Sequence, residues 1–119
     1  METIRPGQIT PNDLELAILT CLAKKDPALL PFIGSLHVLS REYTGVGGYT
    51  RIKTRVTESK IADQQLGLDN PITVPGVPNG LGAVLVCEGG VPTLLELFTY
   101  GSDLWDGLYD GFTIEKIAK

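Results

Sequence analysis

The sequence predicts an α+β domain, with an N-terminal helix and a short broken second helix packed on an antiparallel sheet of four to five strands. Three patterns carry that expectation. Apolar residues recur at helical spacing over 14–22, a period-two alternation runs through 51–56, and two β-rich apolar runs flank Gly89-Gly90. With 119 residues, 43% apolar and 20% charged, the chain can bury a core without metal or disulfide staples, and its composition argues against disorder. One domain over 1–119 is expected.

The first helix has explicit start signals. Thr10 reads as the N-cap, Pro11 as the first helical residue and Asp13 as an anion in the positive first turn. Leu14, Ala17, Ile18, Cys21 and Leu22 form one buried stripe, and Lys24-Lys25 complement the negative pole at the helix end. Asp26-Pro27 repeats the cap-and-proline pattern. Pro31 then removes a donor and disfavours a helical Leu30, so the second helix should be broken and stop at Gly34.

Strands are expected at 36–43 and 49–56, joined by Thr44-Gly45-Val46-Gly47-Gly48. Ile52, Thr54 and Val56 alternate with Arg51, Lys53 and Arg55, which gives a strand with one wet, cationic face. Residues 57–70 are polar, with a helical turn expected around 59–66, and residues 71–82 read as a structured Pro/Gly-rich loop. The tail from Phe112 onward is expected to add a short strand or a helical turn.

Between these lies a hairpin closed by Gly89-Gly90, whose two glycines suit the φ > 0 positions of a two-residue turn. Without irregularity, Val86 would face Thr93, Val84 would face Leu95, and Pro92 would fall opposite Cys87. One face would carry Val84, Val86, Val91, Leu95 and Leu97, the other Ala83, Leu85, Cys87, Leu94 and Phe98. Both are mostly apolar, whereas a pair with one solvated face alternates. A cover is therefore expected on each side, the helix on one and another layer, subunit or partner on the other.

The net charge of −4 is unevenly spread. Residues 1–60 hold eight Lys/Arg against six Asp/Glu, residues 61–119 two against eight. The acidic half can steer a basic partner, and the chain lacks the basic excess of a nucleic-acid binder. No apolar run is long enough for a membrane span, and the N-terminus lacks a secretory layout, so a cytoplasmic location is expected. Two cysteines, Cys21 and Cys87, fit reduced thiols.

The glycines of 44–48 lack the Lys-Ser/Thr ending and following helix of a phosphate loop and fit a bend between strands. His37, Cys21 and Cys87 lack metal-ligand spacing. No catalytic, metal or cofactor site is expected. The most suggestive stretch is 103–111, where Trp105 and Tyr109 are interleaved with Asp103, Asp106 and Asp110. Its Asp spacing fails the calcium-loop pattern. Aromatic rings concentrate binding energy and carboxylates suit Lys/Arg partners, so these five residues are the expected partner-binding set. The opposing expectation is that Leu104, Trp105 and Leu108 tuck under the sheet while the carboxylates stay solvated.

Ser40-Arg41-Glu42-Tyr43-Thr44-Gly45-Val46-Gly47-Gly48-Tyr49-Thr50, with Gly82-Ala83-Val84-Leu85-Val86, Leu95-Glu96-Leu97-Phe98-Thr99-Tyr100-Gly101 and then Trp105, resembles a family of small, poorly characterised bacterial proteins. In that family an R-E-[YF]-T-G-x-G-x-Y-T strand–turn–strand precedes a G-x-x-L-x-x-x-x-G-x-x-x-x-L-E-x-x-x-Y hairpin. The resemblance covers about residues 12–106, and Glu88-Gly89-Gly90 stands where the family has an Asp-Gly-rich half-turn. It implies similarity to immunity-type proteins, which neutralise a cognate toxin by binding it, and supplies no active-site residues. The expected function is a non-enzymatic protein-binding module that docks a basic toxin through its acidic C-terminal half. Two alternatives stay open. One is a ligand-binding or enzymatic domain with a cystatin-like or NTF2-like curved sheet and a pocket converging on His37, Cys87 or Glu96. The other is a homodimeric accessory protein whose second sheet face is the dimer interface.

Overall fold

The computed structural model describes residues 10–55 and 61–115. Helix α1 spans Asp13–Lys25, a 3-10 turn spans Pro27–Leu29, and α2 is a single turn, Leu30–Ile33, ending at Gly34. The cap of α1 lies two residues later than the sequence signals suggest. Asn12 accepts from the Glu15 amide while the Glu15 carboxylate accepts from the Asn12 amide, a complete capping box. Asp26 caps the 3-10 turn through the Ala28 amide, as its sequence suggests.

Seven strands form one antiparallel sheet among the described residues: β1 (Leu36–Tyr43), β2 (Gly47–Thr54), β3 (Gln64–Gly67), β4 (Ile72–Val74), β5 (Val77–Glu88), β6 (Val91–Thr99) and β7 (Thr113–Ile114). The order is β1-β2-β6-β5-β4-β7, with β3 also pairing β5. The expected count of four to five is exceeded because β5 runs twelve residues. Its length lets β3 pair one end (Val84–Cys87) and β4 the other (Val77–Leu81). Two expectations change accordingly. Residues 64–67 are strand instead of the tail of a helical turn; residues 56–60, which include the end of the strand expected at 49–56 and the start of that turn, lie outside the described residues. Residues 71–82 are largely strand, β4 and the start of β5 turning at Pro75-Gly76, where Gly76 takes φ 89°. The strand option for the tail is met by β7, which pairs β4.

Two one-residue irregularities decide which side chains face inward. In β1, Val38 pairs with Ile52 but Ser40 with Arg51, so Leu39 is extra. Beyond that bulge Arg41 and Tyr43 join the face of Leu36 and Val38. In β6, Cys87 pairs with Pro92 as expected, but Val86 pairs with Leu94, so Thr93 is extra. The slip corrects the hairpin faces. Ala83, Leu85, Cys87, Leu95 and Leu97 face inward and are all buried; Val84, Val86, Leu94, Glu96 and Phe98 face the other way.

The core lies between α1 and the inner sheet face. Leu14, Ile18, Leu19 and Leu22 of the helix and Leu29 and Phe32 of the second turn pack with Leu36, Val38, Ile52, Leu81, Leu85 and Leu95. The thinnest dimension is 21 Å, and among the described residues one helix layer covers one face of the sheet. Across the outer face run exposed Glu42, Tyr49, Arg51 and Lys53 beside half-buried Val84, Val86, Leu94, Glu96 and Phe98. None of these belongs to the core cluster.

Candidate functional site

Helix and sheet are locked together by one buried charge. Glu15 lies on the apolar stripe of α1, one turn from Ile18 and Leu19, and is only 3% exposed. Arg41, turned inward by the β1 bulge, donates Nε to Oε2 at 2.9 Å and Nη2 to Oε1 at 2.7 Å. Thr50 on β2 donates its hydroxyl at 2.8 Å, and the Asn12 amide adds a fourth bond at 2.8 Å. Burial alone would raise the Glu15 pKa. Hydrogen bonds from Arg41, then from the Asn12 amide and Thr50, outweigh it and hold the carboxyl below its usual range. The same contact raises the Arg41 pKa further. Sequence patterning passed over Glu15, although an acid on an apolar stripe signals a buried partner.

The strand–turn–strand segment therefore acts through structure. Arg41 and Thr50 hold Glu15, Gly45 takes φ 90° at the bend, and Gly47 lets β6 approach closely. A Cβ at Gly47 would stand 2.2 Å from the Leu97 carbonyl oxygen. Tyr43 lays its ring beside Gly48 and Gly107 and meets Trp105 edge-on at 5.4 Å.

That ring contact leads into the acidic loop after β6. Trp105 is 4% exposed and anchors the loop from within. Its amide donates to the Gly45 carbonyl at 2.9 Å and its indole N–H to the Leu108 carbonyl at 2.8 Å. Asp106 accepts from the Leu108 amide at 3.0 Å, and Gly107 at φ 87° turns the chain. The Asp103 carboxylate accepts from the backbone and side-chain nitrogens of Asn79, at 2.9 and 3.1 Å, fastening the loop to β5. Tyr109 is half-buried and stacks edge-on with Phe112.

The five residues expected to bind a partner thus divide. Asp106 and Asp110 stand at the surface, Asp103 and Tyr109 are half-buried with structural contacts, and Trp105 belongs to the core. The opposing expectation holds for Trp105 and fails for its neighbours. Leu104 is 73% and Leu108 67% exposed, because fixing the indole inside turns the flanking side chains outward. Beside Leu104 lies a groove of about 180 Å³ lined by Pro75, Gly76, Val77, Leu104, Trp105 and Asp106. Leu104 and Leu108 are the site residues that sequence patterning missed, since apolar residues flanking Trp look like core.

His37, Cys87 and Glu96 do not converge. Cys87 lies on the inner face, fully buried, with burial pushing its thiol pKa up to about 11. Glu96 lies on the outer face beside Val84 and Tyr49. His37 pairs with Lys53 at the sheet margin, and its Nδ1 is enclosed with no hydrogen-bond partner among the described residues. Among the described residues no three His, Cys, Asp or Glu side chains gather as a metal-binding group, and no helix is long and apolar enough to cross a membrane. Family models, curated proteins and solved structures yield no match to this chain.

Proposed function

We propose that the protein is a non-enzymatic binding module, an immunity-type inhibitor that acts in the cytoplasm and captures a basic toxin surface with its acidic C-terminal half. The observation supporting this most is the loop at 103–111. It presents two exposed leucines, Leu104 and Leu108, among the exposed carboxylates of Asp106 and Asp110, on a backbone pinned by Trp105, Asp103 and Gly107. A loop already held in shape loses little entropy on binding, so apolar contact converts efficiently into affinity. Exposed carboxylates at its rim attract Lys/Arg and set the association rate. Cys21 and Cys87 are free thiols, in keeping with a reducing compartment.

The test is titration of the purified protein against the product of the adjacent reading frame, with toxin activity and binding kinetics as readouts. Neutralisation with a salt-sensitive association rate is expected. Asp110→Lys should slow association about tenfold and leave dissociation nearly unchanged, whereas Leu108→Ala should speed dissociation about tenfold. No complex, or a complex indifferent to both variants, would refute the proposal.

A further inference from the structure

The outer sheet face is a second surface, independent of the loop. Its centre is apolar: Val84 and Val86 on β5, Leu94 and Phe98 on β6, all half-buried and outside the core cluster. Phe98 lies over Gly82, where an added Cβ would stand 2.4 Å from its ring, and meets Tyr100 edge-on at 5.6 Å. The hydrophobic ridge thus runs along the two longest strands.

At the Gly89-Gly90 end charge flanks that ridge with opposite signs on its two sides, while Glu42 on β1 lies farther from that turn, level with Glu96. Arg51 and Lys53 stand on β2, Lys53 lying beyond the Arg51–Leu94 pair toward the Gly89-Gly90 turn. At that same end, across the ridge, stand Glu88 and Asp63, both exposed. A twofold axis parallel to the strands, lying between β5 and β6, keeps each residue's height along the strands and exchanges left for right. Under that rotation Lys53 of one copy comes over the Glu88–Asp63 side of the other, while ridge meets ridge. Strands of the two sheets then stay aligned, the common way for sheets to stack. The partner that best fits this surface is its own copy.

We propose that two copies of this chain dimerise through the outer sheet face, forming a helix–sheet–sheet–helix sandwich with Lys53 of each over the Glu88–Asp63 margin of the other. The size suffices. Four strands at a spacing of ~4.8 Å and about eight residues at ~3.3 Å give a footprint of roughly 500 Å² per copy, before side-chain relief is counted. Two such footprints reach the total of about 1,000 Å² that a specific interface needs. Among the described residues Glu96 is the one carboxylate near the middle. It sits diagonally across from Arg51, a cross-strand position within reach of a long guanidinium, which supplies its counter-charge once water is excluded.

Sedimentation equilibrium over two decades of concentration tests this. The wild type is expected to pass from the 12.8 kDa chain to twice that mass. Leu94→Glu should weaken association at least about 100-fold. Lys53→Glu and Glu88→Lys involve exposed residues that do not support the fold; each should weaken it about 5-fold, and both in one chain should restore it to within about 2-fold. A wild type that stays monomeric, a dimer indifferent to Leu94→Glu, or a double charge swap no better than either single one would overturn the proposal. Asp106→Lys, on the toxin-facing loop, should leave dimerisation unchanged. If it alone abolished the dimer, the interface would be the loop and the sheet-face assignment would fall.

Discussion

Arg41→Ala is the perturbation that exposes how helix and sheet are joined. Among the described residues it deletes two of four hydrogen bonds to the Glu15 carboxylate and leaves that group, 3% exposed, with those from Thr50 and the Asn12 amide. Removing one partner of a buried ion pair costs about 3–5 kcal/mol, because the other charge stays desolvated. The Arg41 side chain is itself 25% exposed, so water can enter the space it vacates, and the lower end, about 3 kcal/mol, applies. For a domain of this size that corresponds to a fall in Tm of roughly 12 °C.

The pH dependence carries a sign. In the wild type the Glu15 pKa is depressed, so its stabilisation is present above the ordinary carboxylate pKa and is lost as pH falls through the depressed value. In the variant burial acts with less opposition and raises that pKa. The gap between the proteins should therefore be widest near neutrality and narrow in acid. Urea unfolding at neutral and acidic pH measures it. A gap under about 1 kcal/mol at neutral pH, or one that does not change with pH, would refute the reasoning.

Other consequences follow from close approach and burial. Gly47→Ala drives a Cβ against the Leu97 backbone carbonyl, which cannot yield without parting β2 from β6, and should cost about 3 kcal/mol. Gly82→Ala meets only the Phe98 ring and Tyr100 hydroxyl, which can swing toward solvent, and should cost about 1 kcal/mol in the same unfolding assay. Trp105→Ala empties a core position and releases the loop. It should lose about 3–5 kcal/mol and make residues 101–111 sensitive to limited proteolysis, whereas Leu104→Ala should do neither. With a disulfide-exchange reagent at mildly alkaline pH, the half-exposed Cys21 should react quickly, and Cys87, buried with its thiol pKa near 11, only on unfolding. Equal rates for the two thiols would contradict the burial of Cys87.

Much of this architecture is legible in the residues because local chemistry decides it. The stripe of α1, the proline-broken second helix, the cationic face of β2 and the Gly89-Gly90 turn, with φ of 69° and 88°, are each fixed by a few neighbouring side chains. What escapes is whatever depends on one extra residue. Thr93 and Leu39 look like ordinary strand residues, yet each reverses every side chain beyond it. That inversion brings Arg41 to Glu15 and sends Leu94 and Phe98 outward. Strands β3 and β4 escape for another reason. They are four and three residues long and owe their existence to the unpaired edge of β5. Pro75-Gly76 carried the one local clue, a type II turn signature. At the acidic loop, position in the sequence shows that Trp105 matters; only the tertiary contact with Tyr43 shows that it points inward and its leucine neighbours outward.

The measurement that reaches the centre of this account is thiol labelling of Val86→Cys and Leu95→Cys in a Cys21→Ser background, at a concentration low enough to keep the chains apart. The two positions lie on neighbouring strands and opposite faces of one sheet. With the helix layer over the inner face and, among the described residues, nothing over the outer one, Cys at 86 should label rapidly in the native state and Cys at 95 only as fast as the protein unfolds. Protection at both positions would mean that the chain seals its own sheet, and the outer face would have no surface to offer another molecule.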